Sequence, residues 1–385
     1  MLFAISFLAA AALASPIEVQ AKTAVLPLRH NAKVTSFKNI VNKGQARLLK
    51  VNGQVAKPDP DASSGSVTNE DVTYVAPVSI GGRTFELIVD TGSSNTWCGA
   101  QASCEQSATG RSTGGSVQVS YGSGSFSGTE YTDKVSFAGL TVNSQSIGSA
   151  SSSTGFQGVD GIIGFGPVDL TQGTVSNANT VPTFLDNLFR QGSISTEVLG
   201  VYFKPEAGSD TADNNGELTL GGTDSSKFSG SIAFFPTLKS GSAAPYWGIQ
   251  INGFSYNGRS VGGATQGIVD TGTTLIYIPT AAYNSFLSAT GGRTDSSSGL
   301  AIFNTKPTGN FAITFGSTSF TLTPAQYLVP TAQYSNFGLQ SGKFYAWINN
   351  GGSSGVNTIV GQKFLENYYS VYDTSNARIG FAPRK

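Results

Sequence analysis

Apolar and polar residues alternate in short runs along most of the chain, and turns that contain glycine separate the runs. Residues 71–80 and 84–90 form two such runs on either side of Gly81-Gly82. This order predicts a strand, a tight turn and a second strand. The pattern recurs over residues 311–322, so the chain is predicted to consist largely of β-hairpins.

One stretch follows a helical period instead. Its apolar residues recur at three- and four-residue spacing around Pro182, and they are Val181, Phe184, Leu185, Leu188 and Phe189. The spacing predicts a short helix whose apolar stripe packs in the core rather than binding a ligand. The expected fold class is therefore all-β, with a few short helices.

A short motif occurs twice at matching points of this pattern. Residues 90–94 read Asp-Thr-Gly-Ser-Ser and residues 270–274 read Asp-Thr-Gly-Thr-Thr, each directly after an Ile-Val pair. A lone Asp-Thr-Gly is usually a turn or a helix cap. Two copies after buried strands instead predict two lobes, which offer the carboxylates of Asp90 and Asp270 to a shared cleft.

Length and composition agree with two globular lobes. The 385 residues exceed the size at which a single core stops growing. Charged residues make up 12% of the chain and hydrophobic ones 39%, which excludes a disordered chain. The single histidine, His30, lies in a segment that we expect to be removed. The mature chain then has no imidazole for a Ser-His-Asp triad, a Cys-His pair or a metal site.

The amino-terminal region predicts two segments that are lost on maturation. Residues 2–13 form an apolar run that is too short to span a membrane and is typical of a signal peptide. Residues 15–62 carry eight basic and three acidic residues, against 15 basic and 20 acidic ones in the remainder, so their charges are +5 and −5. This asymmetry favours an electrostatically docked propeptide over a nucleic-acid-binding arm.

The chain is accordingly divided into four parts. They are a signal peptide (1–14), a propeptide (15–62), an amino-terminal lobe (63–230) and a carboxy-terminal lobe (231–385). Residues 57–65 are typical of an exposed linker, which predicts a mature amino terminus between Ser63 and Val67. We expect a secreted, extracellular monomer that binds neither a membrane nor nucleic acid.

The two cysteines, Cys98 and Cys104, have more than one interpretation. A metal pair would need further ligands, and a redox couple would need the C-x-x-C spacing. Since the signal peptide indicates an oxidising environment, we prefer a structural disulfide that closes a short loop.

The duplicated motif resembles that of the pepsin-like aspartic proteases, especially the secreted enzymes of basidiomycete fungi. The resemblance covers residues from about 63 to 385, and residues 160–164 and 358–361 match the strands that cross beneath the two active-site loops. It implies a bilobal fold in which Asp90 and Asp270 hold one water, without a metal or other cofactor. Because two adjacent carboxyls cannot easily both ionise, one acts as base and the other as acid.

The resemblance also implies supporting roles in the two loops. Glycines let the backbone approach the carboxyls, hydroxyl residues hydrogen-bond their outer oxygens, and threonines lock the loops together. These pairs are Gly92 and Gly272, Ser93 and Thr273, and Thr91 and Thr271.

Residues 121–125 read Tyr-Gly-Ser-Gly-Ser and begin 31 residues after Asp90, at the position of the family's flap, which closes over substrate. The implied flap and substrate-binding residues are Tyr121, Gly122, Ser123, Trp97, Ile88, Phe126 and Ile162. Trp97 is expected to donate its indole N–H toward the Tyr121 hydroxyl. The apolar cleft lining implies a preference for bulky apolar residues beside the scissile bond.

Some features depart from the family pattern. Gln362 stands where many relatives carry an acidic residue, which leaves the pH optimum open, and no cysteines remain for the second disulfide common in the carboxy-terminal lobe. A catalytically inactive pepsin-fold binding protein is the main alternative, but such proteins typically lose an aspartate, a loop glycine or the flap tyrosine. A carbohydrate-binding β-sandwich does not explain the repeated motif.

The expected partners are protein and peptide substrates, and the propeptide as an intramolecular inhibitor. A basic propeptide side chain is expected to reach the two aspartates, and Arg47, Lys50 and Lys57 are the candidates. Acid protonates carboxylates but leaves Lys and Arg charged, so docking weakens and the precursor is expected to activate itself.

Overall fold

The structure is a computed structural model that describes residues 23–32, 37–54, 72–121, 124–205 and 215–385. The predicted signal peptide, Lys57, the predicted mature amino terminus, and Gly122 and Ser123 of the predicted flap lie outside these residues. Within the described ranges, no helix is both long enough and apolar enough to cross a membrane.

The helices of the described residues are short apart from the first. The α-helices are α1 (Phe37–Val51), α2 (Phe184–Arg190), α3 (Thr280–Thr290), α4 (Pro324–Tyr327), α5 (Tyr334–Phe337) and α6 (Gln362–Leu365). Single turns of 3-10 helix occupy Val168–Thr171 and Thr331–Gln333.

Strands account for most of the other regular structure. In chain order they are β1 (Ala24–Ala32), β2 (Val72–Ile80), β3 (Arg83–Asp90), β4 (Trp97–Cys98), β5 (Arg111–Ser120), β6 (Ser125–Phe137), β7 (Leu140–Thr154), β8 (Gly161–Gly164), β9 (Val198–Phe203), β10 (Gly216–Leu220), β11 (Ala233–Pro236), β12 (Gly248–Ile251), β13 (Gly253–Tyr256), β14 (Arg259–Gly262), β15 (Thr265–Val269), β16 (Ile276–Ile278), β17 (Arg293–Thr294), β18 (Ala301–Phe303), β19 (Phe311–Phe315), β20 (Thr318–Leu322), β21 (Phe344–Ala346), β22 (Ile348–Asn350), β23 (Thr358–Val360), β24 (Tyr368–Asp373) and β25 (Arg378–Pro383).

The described strands form one sheet of 13 strands and three smaller sheets of five, four and three strands. The large sheet runs in the order β11-β25-β24-β9-β10-β1-β2-β3-β8-β4-β7-β6-β5. Strands from the two halves of the chain meet in this sheet where β9 pairs with β24. This mostly-β, two-lobed architecture confirms the fold class, while the lobe boundary at residue 230 stays a prediction.

Both predicted hairpins are present. β2 and β3 pair antiparallel, and Gly81 and Gly82 turn the chain with φ of 58° and 88°. At residue 81 a side chain would strain this left-handed backbone, and its Cβ would lie 2.4 Å from the Ser107 Cβ. The second hairpin consists of β19 and β20.

The predicted helix near Phe184 is shorter than its apolar stripe. α2 begins at Phe184 because Thr183 and Asp186 form a capping box, in which each side chain accepts the backbone N–H of the other residue. Val181 therefore precedes the helix, and Phe189 is 42% exposed. The core-packing prediction is right for the three central residues and wrong for Phe189.

Each Asp-Thr-Gly loop lies beside a parallel strand from further along the chain. β3 pairs with β8, which places Asp90 opposite Gly164. β15 pairs in the same sense with β23, which places Val269 opposite Val360. The matching pairings confirm the internal repeat that the sequence indicated.

The described part of the predicted propeptide is built into this fold. β1 lies between β10 and β2 and pairs with both. α1 lies over the two Asp-Thr-Gly loops and buries its apolar face against the carboxy-terminal half. Gly44 permits this contact because a Cβ there would lie 2.1 Å from the Tyr277 ring. The Tyr277 hydroxyl donates to the carbonyl of Val41 at 2.8 Å.

β6 carries a buried carboxyl group, that of Glu130, which the sequence did not predict. Glu130 is 4% exposed and accepts a hydrogen bond from the Ser146 hydroxyl. Its Oε2 has no hydrogen-bond partner among the described residues. Burial raises the pKa of Glu130 to about 7, and the Ser146 hydrogen bond offsets only part of this rise.

Glu130→Gln is expected to make folding stability less sensitive to rising pH. The folded protein keeps the Glu130 proton up to about pH 7, whereas an unfolded chain releases it near the ordinary glutamate pKa. Wild type therefore loses stability as the pH rises between these values, by about 3 kcal/mol in total. The amide removes this loss, which urea unfolding at a series of pH values measures.

Glu105→Gln is the matched control because Glu105 is exposed on the same lobe. It is expected to leave the pH dependence of the free energy of unfolding unchanged. If Glu130→Gln and wild type lose the same stability between acid and neutral pH, burial of Glu130 is not the source of the effect.

Candidate active site

Two loops place the carboxyl groups of Asp90 and Asp270 side by side in the cleft, with both residues almost completely buried. The Thr91 N–H donates to Thr271 Oγ1 at 2.9 Å, and the Thr271 N–H donates to Thr91 Oγ1 at 3.0 Å. Each hydroxyl then donates to the backbone carbonyl before the opposite aspartate. These four hydrogen bonds fix the two loops, and so the two aspartates, relative to each other.

The loop glycines lie directly against the opposite carboxyl groups. A Cβ at Gly92 would lie 2.6 Å from Asp270 Oδ1, and one at Gly272 would lie 2.4 Å from Asp90 Oδ1. Any larger residue would have to push the carboxyls apart. The close approach of the two loops therefore depends on glycine at both positions.

Each carboxyl receives the same two hydrogen bonds from its own loop. The glycine N–H two residues further on donates to Oδ1 at 2.8 Å in both loops. The hydroxyl three residues further on, from Ser93 or Thr273, donates to Oδ2 at 2.5 and 2.7 Å. These donors favour the ionised form and orient the carboxyl planes.

Arg47 of α1 lies between the two carboxyls. Its Nη2 is 3.0 Å from Asp90 Oδ2 and its Nε is 3.2 Å from Asp270 Oδ2, while Nη1 donates to the Gly92 carbonyl at 2.8 Å. The guanidinium is buried, and the two neighbouring carboxylates raise its pKa against the opposing effect of burial. Lys57 lies outside the described residues, and of the other two candidates, Arg47 and Lys50, Arg47 forms ion pairs with both aspartates.

The two carboxyls differ in proton affinity although their loops match. Burial alone raises the pKa of Asp90, but the Arg47 charge and the hydrogen bonds from its loop outweigh burial and lower it. For Asp270, burial and the nearby Asp90 charge prevail over Arg47, and the pKa is raised. The pair thus combines a carboxyl that ionises readily with one that retains a proton more readily.

Tyr121 directly follows β5 and belongs to an aromatic cluster near the dyad. Its ring centroid lies 6.3 Å from that of Trp97 and 5.4 Å from that of Phe156. Burial, and secondarily the Asp90 charge, raise the Tyr121 pKa well above its usual value. The expected hydrogen bond from Trp97 to Tyr121 does not meet ordinary hydrogen-bond geometry, and neither Trp97 Nε1 nor the Tyr121 hydroxyl has a hydrogen-bond partner among the described residues.

Lys50, one helical turn beyond Arg47, lies with its Nζ 5.2 Å from the Tyr121 ring centroid. Burial, and secondarily the Arg47 charge, lower the Lys50 pKa to about 8. α1 therefore contacts both the carboxyl pair and the predicted flap tyrosine.

A cavity of about 50 Å³ remains between α1 and the cleft wall, with room for only a few water molecules. Its lining on the body of the protein includes Thr73, Ile88, Phe156, Ile162 and Thr274. The structure thus brings the predicted Ile88 and Ile162 together with Thr73 and Phe156, which the sequence did not single out. Neither belongs to a motif, so no local signal marks them. The predicted Phe126 stacks on Trp97 behind this wall, with ring centroids 4.2 Å apart.

Two further residues lie at the margins of the site. Gln362 is fully buried, and its Nε2 donates to the Thr271 carbonyl at 2.8 Å. A neutral amide therefore supports the second loop where an acidic residue would add charge. Cys98 and Cys104 form the expected disulfide, which closes the loop after β4.

Facing Asp-Thr-Gly loops in a two-lobed β fold define an aspartic protease of the pepsin type. The family model for eukaryotic aspartyl proteases matches residues 73–384, and the chain belongs to this family. It is accordingly an aspartic-type endopeptidase, a hydrolase, as are the relatives to which it is similar.

Among these relatives is polyporopepsin of Irpex lacteus, which is 44% identical over 331 residues, covering 83% of this chain and 97% of polyporopepsin. Gastricsin of Cavia porcellus is 32% identical over 337 residues, covering 81% of this chain and 80% of gastricsin. The crystal structure of the aspartic proteinase from Irpex lacteus matches with a TM-score of 0.79 and 38% identity, covering 94% of this chain and 98% of that chain.

Gly272→Ala is expected to lower kcat for peptide hydrolysis by about a hundredfold, because displacing reacting groups by about 1 Å has an effect of this size. The new Cβ would meet Asp90 Oδ1 at 2.4 Å. Gly263→Ala is the control, since a Cβ there has no neighbour within 4 Å. Full activity in Gly272→Ala would show that the close approach of the loops is unnecessary.

Proposed function

We propose that the protein is a secreted endopeptidase that cleaves proteins and peptides in acid by means of Asp90 and Asp270. The observation that carries this proposal is the symmetric pair of buried carboxyls, each held by the same two donors from its own loop. Such a pair supplies a base and an acid at one point of the cleft.

The reaction needs one water and one shared proton. The ionised carboxyl accepts a proton from the water as the water oxygen attacks the peptide carbonyl, and the protonated carboxyl donates to the carbonyl oxygen. A tetrahedral diol forms, and it collapses when the leaving amine is protonated. In the form with Arg47 bound, Asp90 ionises more readily. Once Arg47 has left, the two carboxyls titrate as a coupled pair.

A preference for bulky apolar residues beside the scissile bond is supported by the cleft wall. Ile88 and Ile162 lie with Tyr121 and Phe156 along the cavity next to Asp90. Apolar substrate side chains that displace water from this wall gain roughly 25 cal/mol for each Å² of apolar surface buried.

The precursor form is supported by the position of α1. A substrate cannot reach the dyad while Arg47 contacts both aspartates. Arg47 keeps the Asp90 pKa low, so the ion pair stabilises docking above the ordinary aspartate pKa and is lost as the pH falls through the lowered value. Acid therefore releases α1, which allows cleavage between the propeptide (15–62) and the mature lobes.

Asp90→Asn and Asp270→Asn are each expected to abolish peptide hydrolysis, because each removes half of the acid–base pair. A statine-type transition-state mimic is expected to block the wild-type enzyme. Asp169→Asn, at an exposed aspartate of the same lobe, is the control and keeps full activity. Resistance to the inhibitor together with sensitivity to a chelator would overturn the mechanism, and an intact fold without hydrolysis in wild type would favour the inactive binding protein.

Arg47→Ala is expected to let the precursor activate faster and at a higher pH, because the two carboxyls lose their shared cation. Amino-terminal sequencing after stepwise acidification measures this, with new termini expected between residues 63 and 67. Arg29→Ala is the matched control: Arg29 also lies in the propeptide, but its ion pair with Glu86 is exposed and contributes little.

The Asp90→Asn variant of the precursor tests whether cleavage of the propeptide is self-catalysed. It is expected to remain uncleaved in acid when no other protease is added. Processing of this variant as quickly as wild type would show that another enzyme performs the cleavage.

A further inference from the structure

The amino-terminal end of α1 is held by aromatic contacts that lie away from the two aspartates. Phe37 is 2% exposed. Its ring meets Phe337 edge-on, with centroids 5.1 Å apart, and lies 5.7 Å from Trp347. Both partners belong to the carboxy-terminal lobe, so the propeptide covers an aromatic surface that the mature enzyme would expose.

Trp347 is held in place by the lobe itself. Lys363 Nζ lies 4.6 Å from its ring centroid, and Lys363 is in turn paired with Glu366 Oε1 at 2.7 Å in a buried ion pair. The backbone N–H of Trp347 donates to the Tyr327 carbonyl at 2.9 Å, which fixes the chain at this residue. The ring therefore has its position without Phe37, and we define Phe337 and Trp347 together as the distal aromatic surface.

The distance from this surface to the dyad fits a peptide substrate. Phe37 precedes Arg47 by ten residues of helix, which corresponds to about 15 Å along the axis. An extended peptide covers that distance in about four to five residues. Between these two points α1 lies against the cleft wall that includes Ile88 and Phe156, so the path follows the cleft.

We propose that the distal aromatic surface is a substrate subsite for an aromatic side chain four to five residues from the scissile bond. Phe37 occupies it in the precursor, as a substrate phenylalanine or tyrosine does in the mature enzyme. The inference rests on the proposed proteolytic function and specifies which substrates that function selects. Edge-on contact with Phe337, tilted packing against Trp347 and exclusion of water supply the binding.

The test uses activated wild-type enzyme and fluorogenic peptides with one common cleavage site. Phenylalanine is compared with serine at each position from three to six residues away, on either side of the scissile bond. A rise of about tenfold in kcat/KM is expected, through KM, at one or two adjacent positions on one side only. The side that responds shows the direction in which the substrate runs.

Trp347→Ala and Phe337→Ala are expected to bring the Phe-to-Ser ratio of kcat/KM close to one. The ratio is measured within each variant, so a loss of folded enzyme cancels. Two variants are needed because removal of Trp347 also disturbs the packing of Lys363. Phe189→Ala, which removes an exposed aromatic residue of α2, is the matched control and retains the wild-type ratio.

The results separate this inference from the proposed function. Cleavage of the common site with no positional preference for phenylalanine would overturn the subsite and leave the protease function standing. A preference that persists in both Trp347→Ala and Phe337→Ala would place the aromatic side chain elsewhere and also overturn it. Absence of any cleavage, with a statine-type inhibitor failing to bind, would overturn both.

Discussion

Two carboxyl groups buried against each other set the constraint on which the rest of the structure depends. Their mutual repulsion and lost hydration are tolerated only if a proton or a cation lies between them. In the structure the cation is Arg47, whose guanidinium bonds to both carboxyls. The donors to the carboxyls belong to the loops themselves, so the counter-charge is the part that can be exchanged. In the proposed activation, a proton replaces Arg47 and so couples acidity to access.

The internal repeat explains how such a site remains rigid. Each loop ends one strand, lies beside a second, parallel strand, and donates through its threonine to the other loop. Neither lobe completes the site alone, because the glycine of each loop makes room for the carboxyl of the other. The geometry of the pair thus follows from the contact between lobes, and a shift in that contact would separate the carboxyls.

Local sequence patterns were sufficient to predict the elements of the fold that depend on residues close together in the chain. The alternation around Gly81-Gly82 predicted a hairpin, and the repeated Asp-Thr-Gly predicted paired loops. The choice of Arg47 over Lys50 was not predictable, because it depends on how α1 crosses residues more than 40 positions away. Burial of Glu130 depends likewise on distant packing. Phe189 misled the helix prediction because a period shows which face is apolar, not whether another element covers it.

The two ends of α1 are held by different interactions, which bears on the proposed release of this helix. The Arg47 end depends on charge and weakens in acid, whereas the contact of Phe37 with Trp347 does not titrate. In the proposed activation, acid therefore frees the Arg47 end first. The helix has 15 residues and contains Gly44, so it is marginally stable once its packing is reduced. Loss of the charged contact thus favours unwinding of the whole segment. The proposed activation would then free the aromatic surface, although acid has no direct effect on the contacts of Phe37.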